Sequence, residues 1–322
     1  MKRILGVDGG GTRTRAVLAD DEGRILSSAT GDSINPRHYD REVLRARLEA
    51  LVLAVRGGDH GDVDAAFLAL GGVSTAADAE EVRTIARGVA ALAGAHITVD
   101  NDARAALSGG LAGRPGMVLI AGTGSACLGI AADGRRWWCG GWEALADDAG
   151  SAYWIAIEAI RNAVRQEDGR LPASALRDLV FHRWELAEPR ALAERLSRPD
   201  VDRADLASLA PQVLALASTD SQAAHIIERA ADHLAQLVAV TAARTFGRDP
   251  CDLILTGGLA NSGPPFTPLL AARIAEVAPA VRLVSPELPP VLGAVLEAMK
   301  SLGVHPDGGC LARLRAQALE IP

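Results

Sequence analysis

The chain has 322 residues, of which 49% are hydrophobic and 23% charged, so it is long enough for two folded domains rather than one. Its net charge of −7 argues against nucleic-acid and anionic-membrane partners, which normally meet a basic surface. The chain has no apolar run of membrane-spanning length and no signal-peptide pattern, so we expect a cytoplasmic protein without a membrane partner.

Strand-type and helix-type patterns alternate along the chain. The short apolar runs typical of strands lie at residues 4–8, 15–19, 64–70, 96–99, 252–256 and 281–284. Helical spacing lies at 40–56 and 78–93, and a mainly helical region extends from 150 to about 246. Alternation of this kind predicts parallel sheets covered by helices, with a helical insertion in the second half.

A glycine-rich turn follows the first predicted strand, in the sequence Asp8-Gly9-Gly10-Gly11-Thr12. The lysine-containing P-loop and the dinucleotide fingerprint G-x-G-x-x-G are both absent from the sequence. Glycines allow backbone N–H groups to surround phosphate oxygens, and a strand-end carboxylate can bind hydrated Mg²⁺. The turn therefore predicts phosphate binding by Gly10, Gly11 and Thr12 and metal binding by Asp8, with an ordinary hairpin turn as the alternative.

The same pattern recurs in the second half of the chain. Each copy has a Gly-Thr pair, an apolar stretch and then a Gly-Arg pair at the same interval. The two pairs begin at Gly11 and Gly23 in the first copy, and at Gly122 and Gly134 in the second. Each copy is typical of a glycine turn, a strand, a hairpin turn and a second strand. We predict that Gly122-Thr123-Gly124-Ser125 forms a second phosphate-binding turn that faces the first across a cleft. Two unrelated hairpins are the alternative.

Three polar residues, Asp100-Asn101-Asp102, follow the strand predicted at 96–99 and precede a helical run. One of them is expected to cap the helix, which is the commonest role for such a residue. The others are placed to face a ligand, because ligands bind at strand C-termini in open α/β sheets. A carboxylate there can accept the proton of an attacking hydroxyl, with simple capping as the alternative.

The segment from Gly140 to Ser151 combines mobile glycines, an indole ring and paired acids, in Gly140-Gly141-Trp142 and Asp147-Asp148. Sugars are often held by stacking on an aromatic ring and by carboxylates that accept hydrogen bonds from hydroxyls. Aromatic residues are only 3% of the chain, so Trp142 beside these glycines and acids is a candidate sugar contact. A core patch under a loop is the alternative for the tryptophans around it.

Two later glycine sites are candidates for contact with adenosine. Thr256-Gly257-Gly258 follows the strand at 252–256, where paired glycines would let an adenine or ribose lie against the backbone. Gly293, near the start of the last predicted helix, is interpreted in the same way. A plain strand-to-helix turn is the alternative at each position.

Taken in order, these motifs resemble those of the actin-like ATPase and sugar-kinase superfamily, and within it the BadF/BadG/BcrA/BcrD-type group, with the N-acetylglucosamine kinases as the best match. The likeness runs from Ile4 to about Leu302. It implies an α/β fold of two duplicated actin-like (ribonuclease H-like) domains with a nucleotide cleft between them. The N-terminal domain is expected to span 1–113 and to be joined by the last helix, at about 290–302. The C-terminal domain is expected to span 114–300, with a helical insertion at about 150–246. A C-terminal tail is expected at 303–322.

The resemblance also implies an activity: transfer of phosphate from ATP, with Mg²⁺, to the 6-hydroxyl of an amino sugar, most simply N-acetylglucosamine. It implies that Asp102 is the catalytic base, that Asp8 binds the metal and that the protein is a homodimer. The implied nucleotide contacts are Gly10, Gly11, Thr12, Thr14, Gly122, Thr123, Gly257 and Gly258. The implied sugar contacts are Asn35, Asp102, Gly124, Ser125, Trp142 and Asp148.

One segment departs from the family pattern Gly-Asp-Glu-Gly-Ser. This chain has Asp147-Asp148-Ala149-Gly150-Ser151, so Asp148 aligns with the sugar-binding acid while Ala149 replaces the glutamate. An additional acid would suit a free amine, which makes glucosamine an alternative acceptor.

Two alternatives come from other functional classes. An activator ATPase of an acyl-CoA reductase or dehydratase would hold an iron–sulfur cluster through cysteines. The cysteines here lack the usual close spacing, at Cys127, Cys139, Cys251 and Cys310. A sugar-sensing regulator without enzyme activity is the other alternative, but no DNA-binding segment is expected before Ile4.

Overall fold

The structure, a computed structural model, describes residues 1–58, 61–186 and 188–320. Its strands are β1 (Arg3–Gly9), β2 (Arg13–Asp20), β3 (Ile25–Asp32), β4 (Ala65–Leu70), β5 (His96–Asp100), β6 (Gly116–Ala121), β7 (Ser125–Ile130), β8 (Arg136–Gly140), β9 (Cys251–Thr256) and β10 (Val281–Leu283).

The helices, in chain order, are α1 (Arg41–Arg56), α2 (Ala76–Arg87), α3 (Asp102–Gly110), α4 (Ala152–Glu167), α5 (Ala175–His182), α6 (Leu192–Leu196), α7 (Arg203–Ala207), α8 (Ala210–Leu216), α9 (Ser221–Thr245), α10 (Phe266–Val277), α11 (Pro290–Ser301) and α12 (Gly308–Gln317). The helical region predicted from 150 to about 246 corresponds to α4–α9.

The chain divides into two compact units, unit 1 (Met1–Pro115 with Ser285–Pro322) and unit 2 (Gly116–Val284). The strand order is β3-β2-β1-β4-β5 in unit 1 and β8-β7-β6-β9-β10 in unit 2. In each unit the first strand pairs antiparallel with the second, and the second with the third. The first strand also pairs parallel with the fourth, and the fourth with the fifth. The two units share one topology, so the predicted duplicated α/β fold is confirmed.

The sheet of unit 1 is covered on both faces, which requires nearly continuous apolar strands. Strand β4 meets this requirement because it is buried at every residue. Its Leu68 packs into the cluster under α1 and α2, while its neighbour Phe67 packs into the cluster under α11. The period-two alternation of a strand thus feeds two separate cores.

Helix α11 packs very closely on the rest of unit 1. A Cβ at Gly293 would lie 2.0 Å from the carbonyl oxygen of Ala105 in α3, so the two helices meet backbone to backbone. On the sheet side, a Cβ at Gly6 would lie 2.6 Å from the backbone nitrogen of Val295. Gly293 is therefore buried inside the α3–α11 contact, and its interpretation as an adenosine contact is wrong.

The segment interpreted as a tail, 303–322, contains α12, and its last two residues lie outside the described residues. Cys310 and Leu314 of α12 are buried in the α11 cluster of unit 1. The amide oxygen of Gln317 accepts a hydrogen bond of 3.0 Å from the backbone of Ile25. Among the described helices, none is long and apolar enough to cross a bilayer.

Candidate active site

The first glycine turn (residues 10–12) connects the end of β1 to β2. It is closed by a 3.1 Å hydrogen bond from the backbone N–H of Gly10 to the carbonyl of Arg13. The buried hydroxyl of Ser33 donates to the carbonyl of Gly10 at 2.8 Å and so fixes the turn from its buried side. Gly11 and Thr12 are exposed. The turn is thus a fixed backbone segment whose tip faces solvent.

The glycines of this region serve two different purposes. A Cβ at Gly9 would lie 2.6 Å from the end of the Leu70 side chain and 3.3 Å from the side chain of Ile34, so Gly9 is closely packed inside unit 1. At Gly11, by contrast, a Cβ would have no atom of the described residues within 4 Å. Internal packing therefore does not account for Gly11, whereas the close approach of an external anion would.

Thr14 differs from its predicted role. Its side chain is fully buried in β2, where the hydroxyl donates to the carbonyl of Asp32 at 2.9 Å and accepts from the N–H of Ile34 at 3.2 Å. A hydroxyl engaged in this way joins β2 to the segment after β3. We therefore assign Thr14 a structural role and leave it out of the proposed nucleotide contacts.

Asp8 and Asp102 are electrostatically coupled in unit 1. Burial raises the pKa of Asp8 to about 6, the charge of Asp102 adds to the rise, and Arg15 and Arg13 oppose it. Burial also raises the pKa of Asp102, against the N–H groups at the start of α3. Two desolvated carboxylates near each other are a poor arrangement for stability alone and are typical of a functional site.

The three polar residues before α3 have separate roles. Asn101 is the N-cap, and its side chain accepts from the N–H of Ala103 at 3.0 Å. Asp100 accepts from the N–H of Asn101 at 2.8 Å. Asp102 is the first residue of α3, where the helix dipole favours a negative charge. Of the two acids, Asp102 is the one left for chemistry.

Asn35 lies close to Asp102. The position that a Cβ on Gly71 would occupy is 3.3 Å from a carboxylate oxygen of Asp102 and 3.8 Å from the amide nitrogen of Asn35. Asn35 is buried, and its amide oxygen accepts from the N–H of Arg37 at 2.9 Å, which leaves the amide group facing this point. The structure thus brings together two of the predicted sugar contacts in unit 1.

The second glycine turn (residues 122–125) connects β6 to β7 in unit 2. It is closed by a 3.0 Å hydrogen bond from the N–H of Gly122 to the carbonyl of Gly124. A Cβ at Gly122 would lie 3.8 Å from Gly257, so the two predicted glycine sites of unit 2 are adjacent. Thr123 is exposed at the tip of the turn, whereas Ser125 is buried and donates to the carbonyl of Ala149 at 3.0 Å.

Gly257 and Gly258 differ in the same way as the glycines of unit 1. Gly257 has a φ of +98°, and a Cβ there would lie 2.4 Å from the carbonyl of Ala121, so the fold itself requires glycine. At Gly258 a Cβ would have no atom of the described residues within 4 Å. Gly258 is therefore the member of the pair that is open to a ligand.

Asp148 is buried beneath the second glycine turn. It has a φ of +55° and is only 2% exposed. One carboxylate oxygen is 3.4 Å from the N–H of Ser125, and the other forms an ion pair with Arg203 of α7. Burial raises the pKa of Asp148, while Arg203 and the N–H of Ser125 act in the opposite direction.

Trp142 lies on the tryptophan loop (residues 141–150), and its indole ring is 71% exposed. The loop is held by Glu143, which accepts from the guanidinium of Arg203 at 2.5 Å. Asp147, the additional acid of this chain, accepts from the N–H of Ala149 at 3.2 Å and so helps to form the turn that presents Asp148. An exposed indole and a buried acid on one loop are side chains of the kinds that bind sugars.

The described residues contain no group of three or more His, Cys, Asp or Glu that could bind a metal ion by themselves. Asp8 offers a single hard oxygen donor group, and the nearby charge of Asp102 opposes its ionisation, so a cation bound there would relieve the repulsion between the two carboxylates. Mg²⁺ commonly binds through one or two carboxylates, with waters and substrate phosphates completing its shell. The residues present fit that kind of metal binding.

Two residues of these sites carry no signal in the sequence. Ser33 supports the first glycine turn from a segment 23 residues away. Arg203 reaches Asp148 from the helical insertion, 55 residues away. A serine just after a strand and an arginine at the start of a short helix are common, so only the folded chain distinguishes them.

Comparison with known proteins identifies the family. The sequence profile of the BadF/BadG/BcrA/BcrD ATPase family matches residues 5–298. The N-acetyl-D-glucosamine kinase of Dictyostelium discoideum is 27% identical over 315 residues, which cover 92% of this chain and 98% of that protein. The N-acetylmuramic acid/N-acetylglucosamine kinase of Clostridium acetobutylicum is 29% identical over 212 residues, or 65% of this chain and 69% of that protein.

The fold agrees with this result. A solved structure of a candidate N-acetylglucosamine kinase from Chromobacterium violaceum has a TM-score of 0.71 and 23% identity, and the match covers 92% of this chain and 98% of that one. The family profile extends over both units and over the two glycine turns described above. This chain is therefore a member of the BadF/BadG/BcrA/BcrD ATPase family, with the actin-like sugar-kinase fold and ATP as its nucleotide.

Proposed function

We propose that this protein is an amino-sugar kinase that transfers the γ-phosphoryl group of ATP to the 6-hydroxyl of N-acetylglucosamine. The observation that carries the proposal is the desolvated carboxylate of Asp102 at the start of α3, beside the amide of Asn35. A general base and a neutral hydrogen-bonding group at one point are what a sugar hydroxyl requires. The kinase names of the two sequence relatives support the same activity.

In this proposal Asp102 orients the attacking hydroxyl and accepts its proton late in phosphoryl transfer. The transition state of such reactions is loose, so alignment and charge stabilisation contribute more than strong base catalysis. The burial that raises the pKa of Asp102 makes its carboxylate a better proton acceptor than an exposed aspartate. The N–H groups at the start of α3 favour the ionised carboxylate and so act against the burial.

The two glycine turns are proposed to bind the phosphates of ATP through backbone N–H groups other than those of Gly10 and Gly122, which close the turns. The hydroxyls of Thr12 and Thr123 lie at the tips of the turns. Gly258 is proposed to lie against the adenosine. Asp8 would hold Mg²⁺, which when bound would offset the charge on the phosphate oxygens. The open space at Gly11 and Gly258 supports this assignment.

The sugar contacts proposed for unit 2 are Trp142, Asp148 and the second glycine turn. Asp148 would accept hydrogen bonds from sugar hydroxyls, and the indole of Trp142 would cover one face of the ring. The backbone of Ser125, which donates to Asp148, keeps that acid facing the turn.

The experiment is a measurement of ADP release with N-acetylglucosamine, glucosamine, N-acetylmuramic acid, glucose and no sugar. We expect turnover that depends on an amino sugar, with N-acetylglucosamine giving the largest kcat/KM, and loss of that turnover when EDTA removes Mg²⁺. ADP release at the same rate without sugar would contradict the proposal. A larger kcat/KM for glucosamine would instead identify the free amine as the substrate.

The activator-ATPase alternative receives no support from the cysteines. Burial raises the pKa of Cys127 to about 12 and that of Cys251 to about 11. Both thiols are buried, so neither lies at the surface, where a cluster that bridges two subunits would bind. An iron-coloured protein as purified would nevertheless overturn the kinase proposal in favour of an activator.

We also propose that the kinase acts as a homodimer in the cytoplasm, where ATP is available. The dimer rests on the family resemblance alone. Light scattering behind a sizing column measures the mass directly, and a single species of the 33.4 kDa monomer across micromolar concentrations would contradict the dimer.

A further inference from the structure

The carboxylate of Asp148 lies among charged and polar groups from three parts of unit 2. Arg203, the first residue of α7, forms an ion pair with it. The N–H of Ser125, at the start of β7, is 3.4 Å from its other oxygen. Glu143 of the tryptophan loop adds a second negative charge, 2.5 Å from the same guanidinium. Asp147 precedes Asp148 in the chain and is exposed.

Arg203 connects these parts of unit 2. Its guanidinium bonds to Glu143 and Asp148 on the tryptophan loop and lies 3.5 Å from the carbonyl of Thr123 on the second glycine turn. A Cβ at Gly124 would lie 2.7 Å from a terminal nitrogen of Arg203, so the glycine leaves room for the guanidinium. Gly124 thus lies against both Arg203 and the carboxylate of Asp148.

We propose that Arg203 is a positioning residue for the sugar, which fixes Asp148 as a charged hydrogen-bond acceptor beneath the second glycine turn. This inference rests on the proposed function, because it assigns Asp148 to the binding of sugar hydroxyls. Arg203 itself acts through Asp148 and through the tryptophan loop that Glu143 ties to it. The helical insertion thereby contributes to sugar affinity.

The physical reason is the burial of Asp148. Removing a carboxylate from water favours its protonated form, and a neighbouring cation is the main force against that. A protonated Asp148 would carry a donor where the sugar needs an acceptor. Without Arg203, burial would dominate further, so a higher pH would be needed to ionise Asp148. Glu143 also repels the charge on Asp148 and so raises its pKa in the same direction as burial does.

The test compares the wild type with Arg203→Met, which removes the charge but keeps much of the side-chain length, and with Arg203→Lys, which keeps the charge. For Arg203→Met we expect the KM for N-acetylglucosamine to rise about tenfold or more while the KM for ATP changes less than about twofold. The acid limb of kcat/KM for the sugar should move to higher pH. Arg203→Lys should restore the pH limb and part of the affinity.

A matched control is Arg183→Met. Arg183 also anchors α7, through Asp205 and Ser208, but it bonds to neither Glu143 nor Asp148. Its side chain is 28% exposed, against 32% for Arg203, so the two variants lose similar packing. If both variants lose activity equally and neither moves the pH limb, Arg203 is only a structural support and the inference is wrong.

A carboxyl ¹³C NMR titration of Asp148 separates this inference from the proposed function. Arg203→Met should raise the pH at which Asp148 titrates, whether or not any sugar is phosphorylated. An unchanged titration midpoint would refute the link between Arg203 and Asp148. A wild type that phosphorylates no amino sugar, but whose Asp148 responds to Arg203, would refute the proposed function and with it the role in sugar binding.

Discussion

Asp102 and Asp100 have the same side chain but different surroundings in unit 1. Asp100, two residues earlier, carries the same side chain and bonds to the backbone of Asn101, while Asn101 caps α3. What distinguishes Asp102 is desolvation, which raises its pKa, and its closeness to Asn35. Two carboxylates only two residues apart therefore differ in their hydrogen bonding and in the groups around them.

For Asp102→Asn we expect kcat to fall by about 10²- to 10⁴-fold with little change in ATP affinity, since the amide cannot accept the hydroxyl proton. Steady-state kinetics with N-acetylglucosamine and an ATP-binding titration measure the two quantities. The matched control is Asp100→Asn, which should keep kcat within about threefold because that acid serves the backbone. Near wild-type turnover by Asp102→Asn would remove Asp102 as the base.

At the scale of elements, the contact between α3 and α11 positions Asp102. The helices touch through Ala105, Gly109 and Gly293, where no side chain keeps the backbones apart. Arg104 of α3 also bonds to the buried carboxylate of Glu297 on α11, at 2.7 and 2.9 Å. Helix α3 is therefore fixed in both distance and register, and with it the first residue of the helix.

Gly293→Ala tests the close packing. The added methyl group would overlap the α3 backbone, so we expect a loss of about 1–3 kcal/mol in the free energy of unfolding, measured in urea. Gly308→Ala, at the exposed start of α12, is the control, because the added group would meet no described atom within 4 Å beyond its chain neighbours and the backbone of its own helix. Equal stability of the two variants would show that the helices can separate without cost.

Glu297 makes this contact dependent on pH. Burial alone would raise its pKa, but Arg104 and Lys300 hold the pKa below the ordinary value of 4.5. A carboxyl with a lower pKa in the folded state stabilises the fold above its unfolded pKa and loses that contribution as pH falls through the folded pKa. The stabilisation from Glu297 is thus complete near neutral pH and declines below about pH 4.5.

Glu297→Gln should therefore lower the free energy of unfolding by about 2 kcal/mol at pH 7, where the charged hydrogen bonds are lost. At a pH well below 4 the wild type and the variant should become similar in stability, because Glu297 is then protonated in both states of the wild type. Urea unfolding at both pH values measures this convergence. A difference that stays constant with pH would show that the charge of Glu297 contributes nothing.

At the scale of the whole molecule, each unit has its own sheet and its own buried clusters, one in unit 2 and two in unit 1 among the described residues. Unit 2 is continuous in the chain, and its core joins the sheet to α4, α8 and α9. Unit 1 is discontinuous, because α11 and α12 return to cover one face of its sheet. A continuous unit with its own core has what it needs to fold alone.

We expect a fragment of residues 116–284 to unfold cooperatively in urea and to retain the helix signal of its sequence in far-UV circular dichroism. A fragment of residues 1–115 should not fold alone, since the apolar face that α11 covers would be exposed. Adding a peptide of residues 285–322 should restore its structure. Cooperative unfolding of 1–115 by itself would show that α11 is dispensable for unit 1.

The sequence by itself predicted the features that depend on neighbouring residues. The two glycine turns, Asp8 at a strand end, a cap before α3 and the repeat that predicts two similar sheets all follow from local patterns. Turn geometry and strand alternation are set by sterics and hydrogen bonds over a few residues, so they can be read without knowing the fold.

Only the tertiary structure decided which of these groups are free to act. Thr14 and Gly293 match the patterns of contact residues. The hydroxyl of Thr14, however, already forms hydrogen bonds inside unit 1, and Gly293 is packed against the backbone of α3. Arg203 matches no pattern and yet controls the surroundings of Asp148. Burial, and the charges that compensate for it, are set by residues far apart in the chain, and these appear together only once the chain has folded.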